Sequence, residues 1–509
     1  MAGRAAFLQW PTMSSLPAGL DPTTPVIVGV AQLLHTDGPA PEPTDLMAEV
    51  VRRAAVDAGA PGLAAAADVV GVVPVLSWRY RDPAAILAAS LGAEPVQRWY
   101  PAMGGSTPQM LVNKAALAIA SAEAEVAVVC GAESYRTRQA ERRRGDRPHW
   151  TEQGEDAQPT WGDGGKLDMG HPAELARGIA LPTQVYPMFE NALRHEAGRT
   201  EEEHRRFLGE LWAGFSAVAS TNPYAADRTT YTAEDISTIT AENRLIGSPY
   251  TKHMVSNPDL DAAAGVILCS AGRAAAEGIP RDRWVFPWSG SDGIDPYLSL
   301  RPTFTGSAAI RVAGGTALDL AGVDVDDIAH LDIYSCFPSA VEIACAELGI
   351  GLDRQLTVYG GLCFAGGAWN NPVSHALAAM VGVLRSDSGS LGLVTANGGL
   401  LQKHAFGVYS TDPPRSGHFE HSHPQFAIDA AEGTREVVEE PDGPGEMEAW
   451  TVMYERDGSM ARGHAAVLLP DGRRAWGITS DPDAMGAMST ADLVGSPVEL
   501  TPDGSMTLV

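Results

Sequence analysis

Short, uninterrupted apolar runs alternate with helical patterns through the first region of the chain, about residues 24–133. One run is Val69-Val-Gly-Val-Val, and another extends from Val126 to Cys130. Residues 101–134 read PAMGGSTPQMLVNKAALAIASAEAEVAVVCGAES, so a turn of small residues opens an amphipathic helix that leads into the second run. A strand that is apolar on both faces must be covered on both faces. The pattern therefore predicts an α/β fold whose parallel or mixed sheet lies between helices.

Length, charge and cysteine usage narrow the class of protein. At 509 residues the chain exceeds one ordinary domain. Its net charge of −27 argues against nucleic-acid or anionic-membrane partners. No run of about 18 apolar residues is present, so no transmembrane helix is expected. The cysteines lie mostly in apolar runs without metal-type spacing, which predicts reduced residues in a cytoplasmic protein without a metal site. They are Cys130, Cys269, Cys336, Cys345 and Cys363.

The rest of the chain changes character three times. Residues 1–23 contain no continuous apolar stretch and are predicted to be a flexible tail rather than a secretory signal. Residues about 134–258 interrupt the sheet pattern, and within them Thr200 and Glu203 are spaced as a capping box. From residue 414 the segments are short and alternating, with a hairpin signal at Asp457-Gly458. Residues 414–509 are therefore predicted to form a small all-β barrel of the OB type.

Four stretches of sequence resemble the thiolase superfamily. The turn, helix and strand of residues 101–134 are similar to the unit that carries the reactive cysteine of thiolases. LDIYSCFP at 331–338 resembles the His-Asp-Cys-Phe motif of the sterol-carrier-protein branch, with Tyr334 in place of His and Ser335 in place of Asp. GGLCFAGGAWNNP at 360–372 stands where the family has Gly-His-Pro, and LVTANGG at 393–399 stands where many thiolases have Cys-x-Gly-Gly.

The resemblance covers about residues 24–411 and implies the five-layer thiolase fold. Its N-terminal half would be residues 24–280, including an inserted loop domain at about 134–258 that covers the active site and holds coenzyme A. Its C-terminal half would be residues 281–413. Thiolases usually dimerise through the core strand near the nucleophile turn. The altered turn and the added barrel leave both a homodimer and a monomer open.

The resemblance also implies that the main catalytic groups of a thiolase are absent. The nucleophilic cysteine position falls on Gly105, or on Gly104 if the register slips by one. The histidine position falls near Gly367, and the second cysteine position near Ala396. Thiolysis needs a thiolate to carry the acyl group, because a hydroxyl is a much weaker nucleophile at neutral pH. We therefore expect no ordinary thiolase activity.

Four residues are candidates for the chemistry that remains. For Cys336, the resemblance implies an acid/base group, and the alternative is a buried structural cysteine. Tyr334 could donate a hydrogen bond to an oxyanion or act as a base, and the alternative is an aromatic residue that only packs in the core. Asn397 and His404 follow the third glycine motif and suit an oxyanion or a pantetheine amide, although Asn is also an ordinary turn residue.

Coenzyme A or an acyl-CoA is the expected ligand, and no tightly bound cofactor is expected. Backbone and hydroxyl contacts are predicted from Gly105, Ser106 and Gly398, although Ser106 also suits the helix cap. Arg244 and Lys252 are the favoured basic contacts for the anionic ligand. The weaker basic candidates are Arg136, Arg138, Arg142, Arg143 and Arg144. Asn370, Asn371 and His375 follow the second glycine motif and suit an oxyanion or a pantetheine amide, although Asn is also an ordinary turn residue.

Three functions remain open from the sequence. The leading hypothesis is a thiolase-fold protein that binds coenzyme A or acyl-CoA without running the thiolase reaction. A second is an acyl-CoA carbon–carbon lyase, or retro-aldolase, that uses Tyr334 and Cys336. A third is a non-catalytic scaffold whose OB-like domain docks an enzyme of lipid metabolism. The acidic stretch EEPDGPGEME argues against nucleic acid as the ligand of that domain.

Overall fold

The computed structural model describes residues 16, 17 and 19–509. Most of the predicted N-terminal tail, residues 1–15 and 18, lies outside the described residues. The strands of the described part are, in chain order, β1 (Pro25–Leu34), β2 (Val69–Val72), β3 (Gln97–Trp99), β4 (Val126–Ser134), β5 (Leu245–Gly247), β6 (Tyr250–Thr251), β7 (Asp261–Ser270), β8 (Phe286–Ile294), β9 (His330–Asp332), β10 (Leu391–Gly398), β11 (Lys403–Ser410), β12 (Glu420–Ser422), β13 (Gly443–Tyr454), β14 (Met460–Leu468), β15 (Arg474–Thr479), β16 (Pro497–Leu500) and β17 (Met506–Leu508).

The helices are α1 (Pro43–Asp57), α2 (Pro83–Leu91), α3 (Thr107–Ala120), α4 (Tyr135–Arg144), α5 (Pro172–Ala176), α6 (Pro182–Glu196), α7 (Glu201–Thr221), α8 (Ala233–Ser237), α9 (Ala271–Ala276), α10 (Gly315–Ala321), α11 (Pro338–Leu348), α12 (Pro372–Ser386), α13 (Gln425–Ala431) and α14 (Pro482–Thr490). In this described part, no helix combines the length and the apolar character needed to cross a lipid bilayer.

Two five-stranded sheets form the core of the molecule. The first has the order β1-β7-β4-β2-β3, in which β7 is antiparallel to both of its neighbours. The second has the order β12-β8-β11-β10-β9, in which β11 is antiparallel to β8 and β10. Helix α1 covers the outer face of the first sheet, α3 and α12 contact both sheets, and α10 packs on the second. The predicted five-layer α/β fold is therefore confirmed.

The inserted segment between β4 and β7 has two roles in the fold. Its helices α6 and α7 pack over the second half, and α7 has the predicted capping box between Thr200 and Glu203. Its first part covers the edge strand β3, because Thr160 donates to the Arg98 carbonyl at 2.8 Å and Tyr100 donates to the Trp161 carbonyl at 2.9 Å. The free edge of the first sheet is thus covered by the chain itself.

The C-terminal strands form a separate antiparallel sheet, as predicted. Its order is β15-β14-β13-β16-β17, and a parallel bridge from Ile478 to Ser505 connects the two ends of this order. Helix α14 lies between β15 and β16 along the chain. Strand β5 of the inserted segment pairs with β13, so the loop region and the C-terminal sheet are joined directly.

Arg474 on β15 fastens this sheet to the second half. Its guanidinium donates to the carbonyl oxygens of Leu298 at 2.9 Å and Arg301 at 2.6 Å. It also pairs with Glu448 at 2.7 Å. Because the Arg474 side chain is fully buried, these contacts replace the water that the charge would otherwise require.

Candidate functional site

The turn before α3 packs directly against the end of β10. A Cβ atom added to Gly398 would lie 2.9 Å from the Cα of Gly104 and 2.9 Å from the backbone nitrogen of Gly105. Such a separation is too short for a side chain, so glycine is required for this close approach. Ser106 is the N-cap residue of α3, but its side chain makes no capping hydrogen bond. Three of the predicted ligand contacts, Gly105, Ser106 and Gly398, are thus brought together.

Tyr334 fills the space that a nucleophile at position 105 would occupy. A Cβ atom added to Gly105 would overlap the hydroxyl oxygen of Tyr334 and the carbonyl oxygen of Asn397. Tyr334 reaches this place because the segment after β9 continues beside β10, where its backbone N–H donates to the Thr395 hydroxyl at 2.9 Å. The tyrosine that replaces the histidine of the His-Asp-Cys-Phe motif therefore lies directly against Gly105.

Asn397 and Cys336 meet beneath a tyrosine from the inserted segment. The Asn397 side-chain nitrogen lies 3.9 Å from the Cys336 sulfur and donates to the Tyr186 hydroxyl at 2.9 Å. The Tyr186 hydroxyl also accepts from the backbone N–H of Leu401 at 3.1 Å. Its ring stacks on Phe337 with a centroid separation of 4.5 Å. The site is consequently closed by a side chain of helix α6.

Tyr186 is held by a chain of buried hydrogen bonds. The Tyr250 hydroxyl donates to the Glu190 carboxylate and accepts from the backbone N–H of Ser339. The Ser339 hydroxyl donates to the Tyr186 carbonyl at 3.1 Å. The second oxygen of Glu190 contacts His204 at 2.6 Å. These contacts link α6, α7 and α11, so the position of Tyr186 is fixed by the packing of three helices. Sequence reasoning missed Tyr186, because no local motif distinguishes it from other aromatic residues of an amphipathic helix.

A small cavity of about 10 Å³ remains at the centre of the site. Its lining includes Tyr334, Asn397, Leu401 and His404. The side-chain oxygen of Asn397 is buried and has no hydrogen-bond partner in the structure. A cavity of this size holds about one water molecule, and a water there would satisfy that oxygen. The space is too small for an acyl thioester.

His404 lies behind the cavity in a network of its own. Its Nε2 atom is 3.3 Å from the Leu401 carbonyl and 3.6 Å from the Asp295 carboxylate. Burial would raise the pKa of Asp295, but Arg301, His404 and the Ser307 hydroxyl hold that pKa below its ordinary value. His404 therefore lies in contact with an ionised carboxylate.

The hydroxyl and thiol groups of the site stay protonated at neutral pH. Burial raises the pKa of Cys336 to about 12, although a hydrogen bond from Tyr186 acts in the opposite direction. Burial, reinforced by the neighbouring Cys336, raises the pKa of Tyr334 well above its ordinary value. The pKa of Tyr186 is raised in the same way, by burial first and by Cys336 next. These groups can donate hydrogen bonds, but they cannot act as resting bases.

The other two thiolase positions also lack reactive side chains. A Cβ atom added to Gly367 would overlap the Ser256 hydroxyl, so a side chain at this position would require Ser256 to move. Ala396 is buried on β10. Two π-helical turns, Ile310–Gly314 and Gly361–Ala365, flank the region, and such turns are frequent near functional sites.

The remaining polar candidates from the second glycine motif have structural partners. Asn370 donates to the Pro74 carbonyl at 2.9 Å, and Asn371 donates to the Gly131 carbonyl at 2.8 Å. The Nδ1 atom of His375 is 3.0 Å from Gln32, and burial lowers the pKa of His375 to about 3.

The basic candidates are spread over the surface of the inserted segment. Arg244 donates to the carbonyl of Leu245 at 2.9 Å and lies within 3.4 Å of the Glu455 carbonyl, next to the C-terminal sheet. Lys252 is exposed. Arg136 is paired with Asp261 at 3.1 Å. The cluster in the last turn of α4 comprises Arg142, Arg143 and Arg144.

Comparison with known proteins agrees with the fold. Residues 425–505 match the family model of the thiolase-like protein type 1 additional C-terminal domain. A monomeric SCP2-thiolase-like protein type 1 from Mycobacterium smegmatis has 30% sequence identity, with a TM-score of 0.82 over 96% of this chain and 100% of that one. A comparison with curated proteins gave no match.

Two further solved structures support the fold alone. The Ltp2–ChsH2(DUF35) aldolase has 21% identity and a TM-score of 0.58, covering 76% of this chain and 98% of that chain. An acetyl-CoA acetyltransferase from Syntrophomonas wolfei has 15% identity and a TM-score of 0.52, covering 76% and 99%.

The fold and the sequence similarity together define a thiolase-like protein. Within that superfamily, the chain belongs to the SCP2-thiolase-like proteins of type 1.

Proposed function

We propose that this protein binds coenzyme A or an acyl-CoA and does not catalyse the thiolase reaction. One observation carries the second part: the Tyr334 hydroxyl lies where the side chain of a nucleophile at position 105 would begin. Neither Gly367 nor Ala396 can replace the missing groups. With no thiolate to accept the acyl group, neither half-reaction of thiolysis can proceed.

The binding part of the proposal depends on what the altered site retains. The Gly105 and Gly398 backbones and the Ser106 hydroxyl are groups that suit the amides of a pantetheine arm, and they do not line the water-sized cavity beside Asn397. Lys252 is the preferred basic contact, because it is exposed and its segment reaches the site, where the Ser256 N–H donates to the Cys336 carbonyl at 3.1 Å. Arg244 is less suited to contact the ligand, because its guanidinium already donates to backbone carbonyls.

Retro-aldol cleavage is the second candidate, and the juxtaposition of Tyr334, Cys336 and Asn397 favours it. A base must remove the β-hydroxyl proton of a β-hydroxyacyl-CoA while the carbon–carbon bond breaks, and an acid must then protonate the α-carbon of the shortened acyl-CoA. The raised pKa values of Tyr334 and Cys336 suit the acid and not the base. This function is therefore placed second.

The C-terminal sheet supports a third, non-catalytic role. Its strand order, its closing bridge and the helix between its third and fourth strands are typical of an OB-type barrel. In the scaffold hypothesis, this barrel would dock an enzyme of lipid metabolism in the cytoplasm. The buried contacts of Arg474 join the barrel to the rest of the chain, so only its outer face is left for a partner.

Mass spectrometry of the full-length protein tests these functions together. The protein is mixed with coenzyme A and with acetyl-, acetoacetyl-, long-chain and β-hydroxyacyl-CoAs, and both bound ligand and products are recorded. Retained ligand without product is expected, together with weaker retention by Lys252→Ala. A shortened acyl-CoA from a β-hydroxyacyl-CoA that disappears in Tyr334→Phe or Cys336→Ala would establish the lyase. Thiolysis of acetoacetyl-CoA would overturn the proposal, and neither ligand nor product would favour the scaffold.

A further inference from the structure

A second, larger space lies on the other side of the β10–β11 turn. This cleft has a volume of about 410 Å³ and is bounded by the end of β8, by Lys403 and by helix α13. Small-molecule sites typically have volumes of about 300–1,000 Å³ and are mostly apolar with a few polar groups. The cleft falls within that range, whereas the cavity beside Tyr334 does not.

The C-terminal region completes the cleft. The Gln425 side chain on α13 accepts from the Ile294 N–H at 3.0 Å and donates to the Ile294 carbonyl at 2.7 Å, which fixes the helix to the end of β8. The apolar lining includes Ile294, Leu300 and Ile428. Ile294 remains 45% exposed although it sits in this concave surface. An apolar group bound there would remove it from water.

The charges around the cleft favour a cation. Asp168, Asp429 and Glu432 line it, but Glu432 forms an ion pair with Arg311 at 2.8 Å. That leaves Asp168 and Asp429 against one basic lining side chain, Lys403. The remaining lining charges, Arg301 and Asp295, form an ion pair at 3.2 Å and cancel. Lys403 is engaged already, because its ammonium donates to the carbonyls of Met103 and Asp168, each at 3.2 Å. Burial also lowers the pKa of Lys403, although Asp168 opposes the effect.

Each lining carboxylate has an oxygen that its described contact does not use. Asp168 accepts from the Tyr297 hydroxyl through one oxygen, at 2.7 Å. Asp429 accepts from Gln425 through one oxygen at 2.8 Å. Glu432 accepts from Arg311 through one oxygen, also at 2.8 Å. An ammonium group can donate to three acceptors. The cleft therefore presents carboxylate oxygens of the sign that an amine requires.

We propose that this cleft binds a small amphipathic amine. Its apolar body packs against Ile294, Leu300 and Ile428, and its ammonium group donates to Asp168 and Asp429. The site is independent of the coenzyme A proposal, because the phosphates of coenzyme A would be repelled by the same carboxylates.

Isothermal titration of the full-length protein at low ionic strength tests the proposal with three probes of one shape: 1-adamantylamine, 1-adamantanol and 1-adamantanecarboxylate. The amine should bind at least tenfold more tightly than the carboxylate, with the alcohol between them. Asp429→Lys should weaken amine binding at least tenfold. The matched control, Asp146→Lys, makes the same charge change at an exposed carboxylate outside the cleft and should leave amine binding unaltered.

Three outcomes would overturn the proposal. They are no binding of any probe at millimolar concentration, equal binding of amine and carboxylate, or equal effects of the two substitutions. Circular dichroism identifies a variant that has failed to fold, and Asp429→Asn then replaces Asp429→Lys as the test of charge, with a smaller loss expected. Coenzyme A binding is measured on the same samples. It should be unchanged by Asp429→Lys, so failure at the cleft can be told from failure of the proposed function.

Discussion

Gly105→Ala adds one methyl group at the most crowded point of the candidate site. The new Cβ atom would overlap the Tyr334 hydroxyl oxygen and the Asn397 carbonyl oxygen. Because one of these atoms belongs to the backbone of β10, rotation of a side chain cannot relieve both overlaps. Overpacking of a tight site costs about 1–3 kcal/mol. We expect a loss of about 3 kcal/mol in the free energy of unfolding, since backbone must move.

The neighbouring glycine provides a matched control. A Cβ atom added to Gly104 would lie 3.3 Å from the Ser106 hydroxyl and 3.5 Å from the Lys403 side chain, which is close to ordinary contact. Replacing glycine by alanine also removes freedom from the unfolded chain, which stabilises the protein by about 0.4–1 kcal/mol where the site accepts the methyl group. Gly104→Ala should therefore change the free energy of unfolding by less than about 1 kcal/mol.

Urea unfolding, followed by circular dichroism and by tryptophan fluorescence, measures both variants. The two signals must give coincident transitions, because a chain of 509 residues need not unfold in one step. Tyr334→Phe removes the overlapping oxygen, so in that background Gly105→Ala should cost about 1 kcal/mol less. Equal losses for Gly104→Ala and Gly105→Ala, or no coupling to Tyr334→Phe, would refute the assignment of Tyr334 to the nucleophile position.

Three further predictions concern the framework around the site. Arg474→Lys should cost about 3 kcal/mol in urea unfolding, because lysine cannot serve both the backbone carbonyls and Glu448. The exposed Arg473→Lys should stay within about 0.5 kcal/mol. Burial raises the pKa of Asp332 from 3.8 to about 6, despite hydrogen bonds from Thr357 and two backbone N–H groups. The stability that this carboxyl contributes is thus full below pH 3.8 and is lost as the pH rises to about 6. Relative to Asp332→Asn, the wild type should lose about 3 kcal/mol over that interval, measured by urea unfolding at each pH. Gly162 has φ +111°, and a Cβ atom there would lie 2.7 Å from the Pro101 nitrogen, so Gly162→Ala should detach the segment that covers β3. Light scattering after gel filtration should then detect self-association. The control Gly164→Ala has φ +63° but no atom within 4 Å of the added Cβ, so it bears only the backbone cost of about 1–2 kcal/mol and should remain at its original mass.

The sequence predicted the elements whose signals are local. Helix α3 follows the turn of small residues and β4 begins at Val126, as the pattern of residues 101–134 indicated. The capping box of α7 and the hairpin at Asp457-Gly458 also appear as predicted. In each case the capping residue, the turn glycine or the periodic apolar positions lie within a few residues of one another, so the chain itself specifies them.

The site was predicted only in part. Gly105, Tyr334, Cys336 and Asn397 come together because each follows or precedes a core strand of the fold that the resemblance implied. Tyr186 and Lys403 could not be anticipated. Tyr186 enters from an inserted helix whose docking depends on contacts between three helices. Lys403 joins two loops that lie far apart along the chain.

The sequence alone determined the layered α/β core, the all-β C-terminal region and the absence of a cysteine at residue 105, since hydrophobic periodicity and residue identity are properties of the chain. The tertiary structure decided which side chain lies against Gly105, how little space remains beside it, and where a larger cleft opens. These outcomes depend on the ångström-scale approach of distant backbones, such as Gly104 and Gly398. In a closely packed interior, one additional atom decides whether a side chain or a ligand fits. No local sequence pattern determines such a fit.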